Sequence, residues 1–447
     1  MSEDKEFPLD EKEYKSILNA GGRKALIAAR HAFARFGFRS NFMMVTDSLF
    51  SLEYPQGDSF SPVRTIHHSK HINSHLTGIN TQLPILHAVM MSSGRSVSTT
   101  AGRAGSSLTS TQLVFEMLRA IDDGGRNRAC SLAMELASRG KYELLVDTLR
   151  EETVRRYSYS FTPSILLNAI RCIVSGNGFT EGAARVAASS VTGAGISPDA
   201  VNATKALKYA GVSTDRAAEN DHFPDGDIDQ RVAASIRSGI PEMALRVIAD
   251  ELNKGVSPRC ILNTICLEAL LNSAGSEKKS TYEFIVQNSS SIIESIVSSG
   301  VVKSADIIEM MTIASHLSQI YTARDTASPV TENSRQWSVD EAVSMFENGD
   351  PSALIGILYS KGGDSEFTRI STYVAELVVT CDQTGLYSES LCHCSSSMLC
   401  GSLLDSSASR AASLRECVSY LSALRKRGAE CNNTVSSTVH DEVESST

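Results

Sequence analysis

Apolar residues recur at helical spacing along most of the chain, and glycine interrupts them at regular points. Tyr14, Ile17 and Leu18 form one apolar face that stops at Gly21, and a second apolar stripe then runs to Gly37. Apolar positions three and four residues apart predict an amphipathic helix, and glycine commonly ends one. The pattern therefore predicts two helices joined by a glycine turn, which together form a helical hairpin.

The hairpin pattern returns three more times downstream. Each copy has a turn glycine, a second helix and a terminal glycine, and the pairs are Gly124 and Gly140, Gly239 and Gly255, and Gly349 and Gly362. The interval between the two glycines is the same in the first three copies and shorter in the fourth. Small and apolar residues at fixed offsets are what hairpin packing requires, so the pattern predicts a helical repeat.

A further apolar helix follows the terminal glycine in the three downstream copies, so the unit has at least three helices. Segments rich in Pro, Gly, Ser or acidic residues lie just upstream of hairpins and predict unit boundaries. The end of the chain is Ser-rich and acidic, which is typical of disorder. The predicted units are 1–110, which carries a histidine-bearing helix and a Ser/Gly linker, 111–230, which ends in an acidic linker, 231–336, 337–428, which is rich in cysteine, and a disordered tail at 429–447.

Composition agrees with a helical chain. A hydrophobic share of 42% and a charged share of 21% are ordinary for a globular protein. The chain has only 11 prolines and one tryptophan. A protein with a many-stranded sheet would require more turn residues and more aromatic residues. The predicted fold class is all-α, with repeated helical hairpins packed as a bundle array or a shallow solenoid.

Charge and hydropathy limit the kinds of partner that we expect this protein to bind. The net charge of −9 argues against a nucleic-acid or anionic-membrane surface, because both require a basic footprint. No stretch reaches the roughly 18 apolar residues of a membrane span. The first residues are polar and acidic, unlike a secretory signal. Ten cysteines spread through a long chain favour reduced thiols. We therefore expect a cytoplasmic protein that binds neither nucleic acid nor membrane.

The most unusual cluster of side chains consists of four histidines between residues 66 and 75. His67, His71 and His75 lie four residues apart, with His68 beside them. On one helix this spacing stacks imidazoles along a face, which is how a helix presents ligands to a metal ion. The four histidines are the predicted metal ligands, and a divalent metal is the cofactor they suggest. The alternative is partly buried histidines satisfied by hydrogen bonds, and Lys70 and the lack of a nearby carboxylate favour it.

Two weaker patterns lie in the second half of the chain. Cys392, Cys394 and Cys400 could bind zinc, but their spacing departs from the usual zinc knuckles, and apolar filling of a helical segment is the alternative. Glu309 could complete a histidine site, and a solvated helix position is its simpler interpretation. The chain carries no P-loop, serine-hydrolase elbow, dinucleotide-binding fingerprint or H-E-x-x-H motif.

Two functions from different classes remain open. The first is a non-catalytic interaction or scaffold protein whose partner is another protein, because helical arrays form broad surfaces and no complete catalytic set is evident. The alternative is a metal- or cofactor-dependent enzyme, oxidative or hydrolytic, with a histidine-lined site inside the helical bundle. The pattern does not identify catalytic residues or a substrate.

Overall fold

The structure of the chain is a computed structural model, and it confirms the all-α class. The described residues contain no β-strand, only two isolated bridges that join Leu52 to Val97 and His222 to Val256. The described residues are 14, 16–18, 22–54, 60–92, 95–98, 102–156, 163–174, 180–192, 194–222, 229–273, 279–321, 337–359, 364–380, 387–403 and 410–425. The predicted tail 429–447 lies outside them.

Ten helices lie in the described residues of the first half; the first has 30 residues with a non-helical kink at Gly37, and the others have 5 to 14 residues. They are α1 (Gly22–Ser51), α2 (Ser61–Ile72), α3 (Leu83–Ser92), α4 (Ser110–Asp122), α5 (Arg126–Ser138), α6 (Tyr142–Arg155), α7 (Pro163–Val174), α8 (Glu181–Val191), α9 (Pro198–Tyr209) and α10 (Thr214–Ala218). Single 3₁₀ turns cover Asn73–His75 and Gly78–Gln82.

The second half continues in the same manner. Its helices are α11 (Gln230–Arg237), α12 (Pro241–Asn253), α13 (Pro258–Ser273), α14 (Lys279–Ser299), α15 (Ser304–Ile320), α16 (Val339–Glu347), α17 (Ser352–Tyr359), α18 (Asp364–Thr380), α19 (Tyr387–Leu403) and α20 (410–425). The helix pairs α4 and α5, α11 and α12, and α16 and α17 pack against each other, as the hairpin pattern predicts. The repeat and the domain division stay predictions.

The glycines that the sequence assigns to turns and helix ends adopt the left-handed backbone conformation. Positive φ angles occur at Gly37, Gly124, Gly140, Gly239, Gly255 and Gly349. After α5, the amide of Gly140 donates to the carbonyl of Ala137, and that of Lys141 donates to Leu136. These two bonds satisfy carbonyls that the helix end leaves without partners. Gly21 and Gly362 lie outside the described residues.

Three clusters of buried apolar side chains hold the helices together. The amino-terminal cluster contains residues of α1 to α8, including Ile66 and Ile170. The central cluster draws mainly on α9 and α11 to α15, including Ile293. The carboxy-terminal cluster draws on α16 to α20, including Leu391. Burial of apolar area is the main stabilising contribution in such an assembly.

Four helices from these clusters surround a polar interior. Helix α2 contacts α7 and α19, and α14 contacts the same two helices from the other side. Helices α2 and α7 belong to the amino-terminal cluster, α14 to the central cluster and α19 to the carboxy-terminal cluster. The polar interior therefore lies where the three apolar clusters meet. Among the described residues, no helix is both long and apolar enough to cross a membrane.

Replacing Gly140 by alanine should lower the free energy of unfolding by about 1 kcal/mol, because an L side chain is strained at this positive φ. Gly195 offers a matched control, since it has no such φ and its Cβ position is open. Alanine there should leave stability unchanged or slightly higher. Urea denaturation compares the two variants, and wild-type stability of Gly140→Ala would contradict the observed helix end.

Candidate metal centre

Helix α2 carries three of the four predicted histidine ligands into the polar interior. Pro62 lies in its first turn, where a missing amide hydrogen costs nothing. His67 and His68 are buried, and His71 is partly buried one turn further on. The helix ends at Ile72, and the next residues, Asn73–His75, form a 3₁₀ turn. His75 therefore does not continue the helical stripe that the spacing predicts.

His67 and His71 meet a carboxylate from a distant part of the chain. The Nε2 atom of His67 lies 3.0 Å from Oε2 of Glu294, and Nε2 of His71 lies 3.0 Å from Oε1. One ligand atom from each residue lies within 4.8 Å of the others. Among the described residues, no other group of three or more His, Cys, Asp or Glu side chains has this geometry. The structure therefore brings two imidazoles and one carboxylate to one point.

The three side chains are shielded from water to different degrees. The exposed fraction of the side chain is 6% for His67, 13% for Glu294 and 24% for His71. His71 is therefore the member that a molecule from solvent reaches most easily. A partly open set of ligands is what distinguishes a catalytic metal site from a closed structural one.

Glu294 is held as an anion by its neighbours. Burial on its own would raise the pKa of this carboxyl, but the charge and hydrogen bonds of His67 and His71 outweigh burial and lower the pKa well below its usual range. Asn168 on α7 also donates from Nδ2 to Oε2, at 3.0 Å. Such a hydrogen bond from a neighbouring residue orients a carboxylate for metal binding.

The observed separations suit either a proton or a metal ion between the side chains. A distance of 3.0 Å between nitrogen and oxygen is that of a hydrogen bond. Two ligand atoms each about 2.1 Å from a metal, at a right angle to each other, are also about 3.0 Å apart. A metal ion would therefore take the place of the two hydrogen bonds, and the Glu294 carboxylate would move off the line of each imidazole lone pair to make room for it.

His68 points to a different neighbour. Its Nδ1 atom lies 3.2 Å from Oγ of Ser395 on α19. Burial lowers the pKa of His68 well below its ordinary value, and repulsion from His67 and His71 adds to the effect. Its Nε2 atom is buried and has no hydrogen-bond partner among the described residues. His68 is therefore a neutral imidazole beside the group of three rather than a member of it.

His75 lines a cleft next to the metal-ligand group. The cleft has a volume of about 230 Å³, and its wall includes Lys70, His71 and His75 from the end of α2 and the turn that follows. Burial lowers the pKa of His75, so its ring is neutral at pH 7. The structure thus separates the four predicted ligands into two that meet Glu294, one that meets Ser395 and one in the cleft.

Sequence reasoning missed Glu294 as a partner of the histidines. The two segments are 223 residues apart, and Glu294 stands in the Ser- and Ile-rich helix α14 without any motif. One signal was present, because a single acidic residue inside an otherwise uncharged helical stretch is unusual unless it has a buried partner. That signal indicates burial, but it does not indicate which residue the partner is.

The cysteines of the last unit form no such group among the described residues. Cys392, Cys394 and Cys400 are buried in α19, and none is in a disulfide. The adjacent His393 binds Glu416 instead, with 2.9 Å between Nε2 and Oε1, and both side chains are fully buried. Cys381 and Cys431 lie outside the described residues.

The expectation that Glu309 is solvated was wrong. Glu309 is fully buried in α15, where it forms an ion pair with Arg150 of α6 and accepts a hydrogen bond from Ser164 of α7. Arg150 also pairs with Asp306 at 2.8 Å. Burial raises the pKa of Glu309, against the opposing effect of Arg150. An ion pair of this kind fixes how helices pack, and it lies apart from the histidines.

Comparison of the chain with protein-family models, with curated proteins and with solved structures found no match. The chemistry of the site therefore rests on its own geometry.

Replacing Glu294 by glutamine should destabilise the metal-free protein by about 1–3 kcal/mol at pH 7, because His67, His71 and Asn168 lose a charged acceptor. The folded pKa of Glu294 lies below its unfolded value of about 4.3, so this stability is present above that pH and is lost as the pH falls below it.

Urea denaturation with a chelator present, at pH 7 and near pH 3.5, measures the effect. The difference in the free energy of unfolding between wild type and Glu294→Gln should be smaller at the lower pH. Glu151 is exposed on α6, and Glu151→Gln should show little difference at either pH. A gap that is absent at pH 7, or that grows at low pH, would show that Glu294 is not a stabilising anion.

Proposed function

We propose that the protein is a metal-dependent enzyme in which His67, His71 and Glu294 hold one divalent transition-metal ion. The observation that carries this proposal is the convergence of two imidazole nitrogens and a partly buried, ionised carboxylate within 4.8 Å. Isolated buried carboxylates are costly, and two histidines facing one carboxylate form a preorganised set of ligands.

The type of ligand limits the metal and its chemistry. Imidazole and carboxylate suit zinc, iron and manganese, and the absence of sulfur from the group of three disfavours copper(I). Three protein ligands leave at least one position for water or substrate, as in zinc hydrolases and in iron oxygenases with two histidines and one carboxylate. Zinc would activate water for hydrolysis and iron would support oxidation, so the metal that copurifies decides between the two reactions.

The interaction or scaffold role stays a prediction, as do a protein partner and a cytoplasmic location. The interaction role rests on the helical architecture alone. Exposed apolar side chains such as Phe115 and Tyr209 do not add support, because single side chains of this kind occur on most protein surfaces. The metal-dependent alternative has a specific geometric feature in its support and is therefore preferred.

Metal analysis of the purified protein tests the proposal. Wild type should contain zinc, iron or manganese in stoichiometric amount, or take one up when offered. His71→Ala and Glu294→Gln should reduce the metal to trace levels, because each removes a ligand. His75→Ala is the matched control, since His75 lies outside the group of three, and its metal content should equal that of wild type.

Circular dichroism should show similar helix content in all the variants, because alanine favours helix. The proposal fails if wild type takes up none of the three metals. It also fails if a well-folded His71→Ala retains its metal, or if His75→Ala loses metal to the same extent as His71→Ala.

A further inference from the structure

Two buried side chains of α2 have nitrogen atoms that form no hydrogen bond among the described residues. They are Nε of Arg64 and Nε2 of His68, which lies one helical turn further along. Residues four apart on a helix lie side by side on one face. When Nδ1 of His68 accepts the hydroxyl hydrogen of Ser395, Nε2 carries the ring hydrogen. Both nitrogens are then hydrogen-bond donors on the same face of α2.

Arg64 is a buried cation without an anionic partner in the described part of the chain. Its Nη2 atom donates to Oε1 of Gln287 on α14, which is a neutral acceptor. Among the described residues no carboxylate forms an ion pair with Arg64, Glu294 included, whereas the buried Arg150 pairs with two carboxylates. A buried charge is destabilising unless an opposite charge compensates it. The surroundings of Arg64 therefore favour a bound anion.

A third donor faces α2 from helix α14. Gln287 and Glu294 both reach side chains of α2, and they lie seven residues apart, so they share one face of α14. Ser291 lies on the same face between them, and its hydroxyl is buried and has no partner among the described residues. Serine is shorter than the residues on either side, so its hydroxyl does not reach α2. An ion between the two helices would be bound from both.

We propose that Arg64, His68 and Ser291 bind one chloride ion in the interior between α2 and α14. All three groups donate hydrogen bonds, and the guanidinium supplies the opposite charge. Each residue is at most 6% exposed, so the occupant is small, and a single-atom anion suits the site better than phosphate or a carboxylic acid. A water molecule is also a partner for these atoms, but it leaves the charge of Arg64 uncompensated. The inference does not depend on the proposed metal, because none of these residues belongs to the group of three.

Urea denaturation of the full-length, metal-free protein over a range of chloride concentrations tests the inference. Sodium gluconate replaces sodium chloride so that the ionic strength stays constant, and a chelator is present throughout. An ion that binds only the folded state shifts the folding equilibrium by mass action. Above the dissociation constant, each tenfold rise in chloride should therefore increase the ratio of folded to unfolded protein about tenfold. A wild-type ratio that does not change with chloride would overturn the proposal.

Ser291→Ala removes one donor with little change of volume, and it should weaken the affinity for chloride about tenfold. The chloride concentration at which stability begins to rise should increase by the same factor. Ser290→Ala is the matched control, because the Ser290 hydroxyl donates to the carbonyl oxygen of Gln287 in its own helix, and its chloride dependence should equal that of wild type. The same chloride dependence in both variants would show that Ser291 does not bind the ion, and would overturn the site.

Arg64→Met should abolish the chloride dependence, whereas Arg246→Met, the same change at an exposed position of α12, should retain it. Wild-type crystals grown with bromide in place of chloride give a second test that needs no variant to fold. One anomalous peak should lie within hydrogen-bond distance of Nε of Arg64, Nε2 of His68 and Oγ of Ser291. Water at that position, with bromide only at the surface, would overturn the proposal.

Discussion

The partial burial of the Glu294 carboxylate is the constraint on which the arrangement of the surrounding helices depends. An anion that is largely shielded from water is destabilising unless several donors surround it. Its donors are His67 and His71 from α2 and Asn168 from α7, so three helices must keep their register for the carboxylate to stay paired. The three apolar clusters supply the stabilisation that holds these helices together around the polar group.

Serine makes the close packing of this interior feasible. Helices α14 and α19 pack against each other, and each carries three consecutive buried serines, at 289–291 and 395–397. Small side chains let two helices approach closely, and their hydroxyls can bond to the helix backbone. One of these serines, Ser395, also meets His68. The same interior thus combines close helix packing with imidazole and carboxylate groups.

The sequence predicts local structure well and long-range structure poorly, for physical reasons. Apolar periodicity and glycine act over a few residues, so the hairpins and the left-handed ends at Gly140 and Gly255 follow from the pattern. The histidine spacing correctly marks His67 and His71 as neighbours on one helix face. The carboxylate of Glu294 reaches these histidines only through tertiary packing. No strong local signal marks the change to a 3₁₀ turn at Asn73, and this change removes His75 from the helix face.

A crystal structure with anomalous diffraction data collected at a metal absorption edge tests the central claim most directly. Crystals of protein loaded with zinc, iron or manganese should show one anomalous peak about 2.1 Å from Nε2 of His67, Nε2 of His71 and a carboxylate oxygen of Glu294. A peak at His75 or at the buried cysteines, with none at Glu294, would contradict the account. So would direct hydrogen bonds from both histidines to Glu294 in protein saturated with metal.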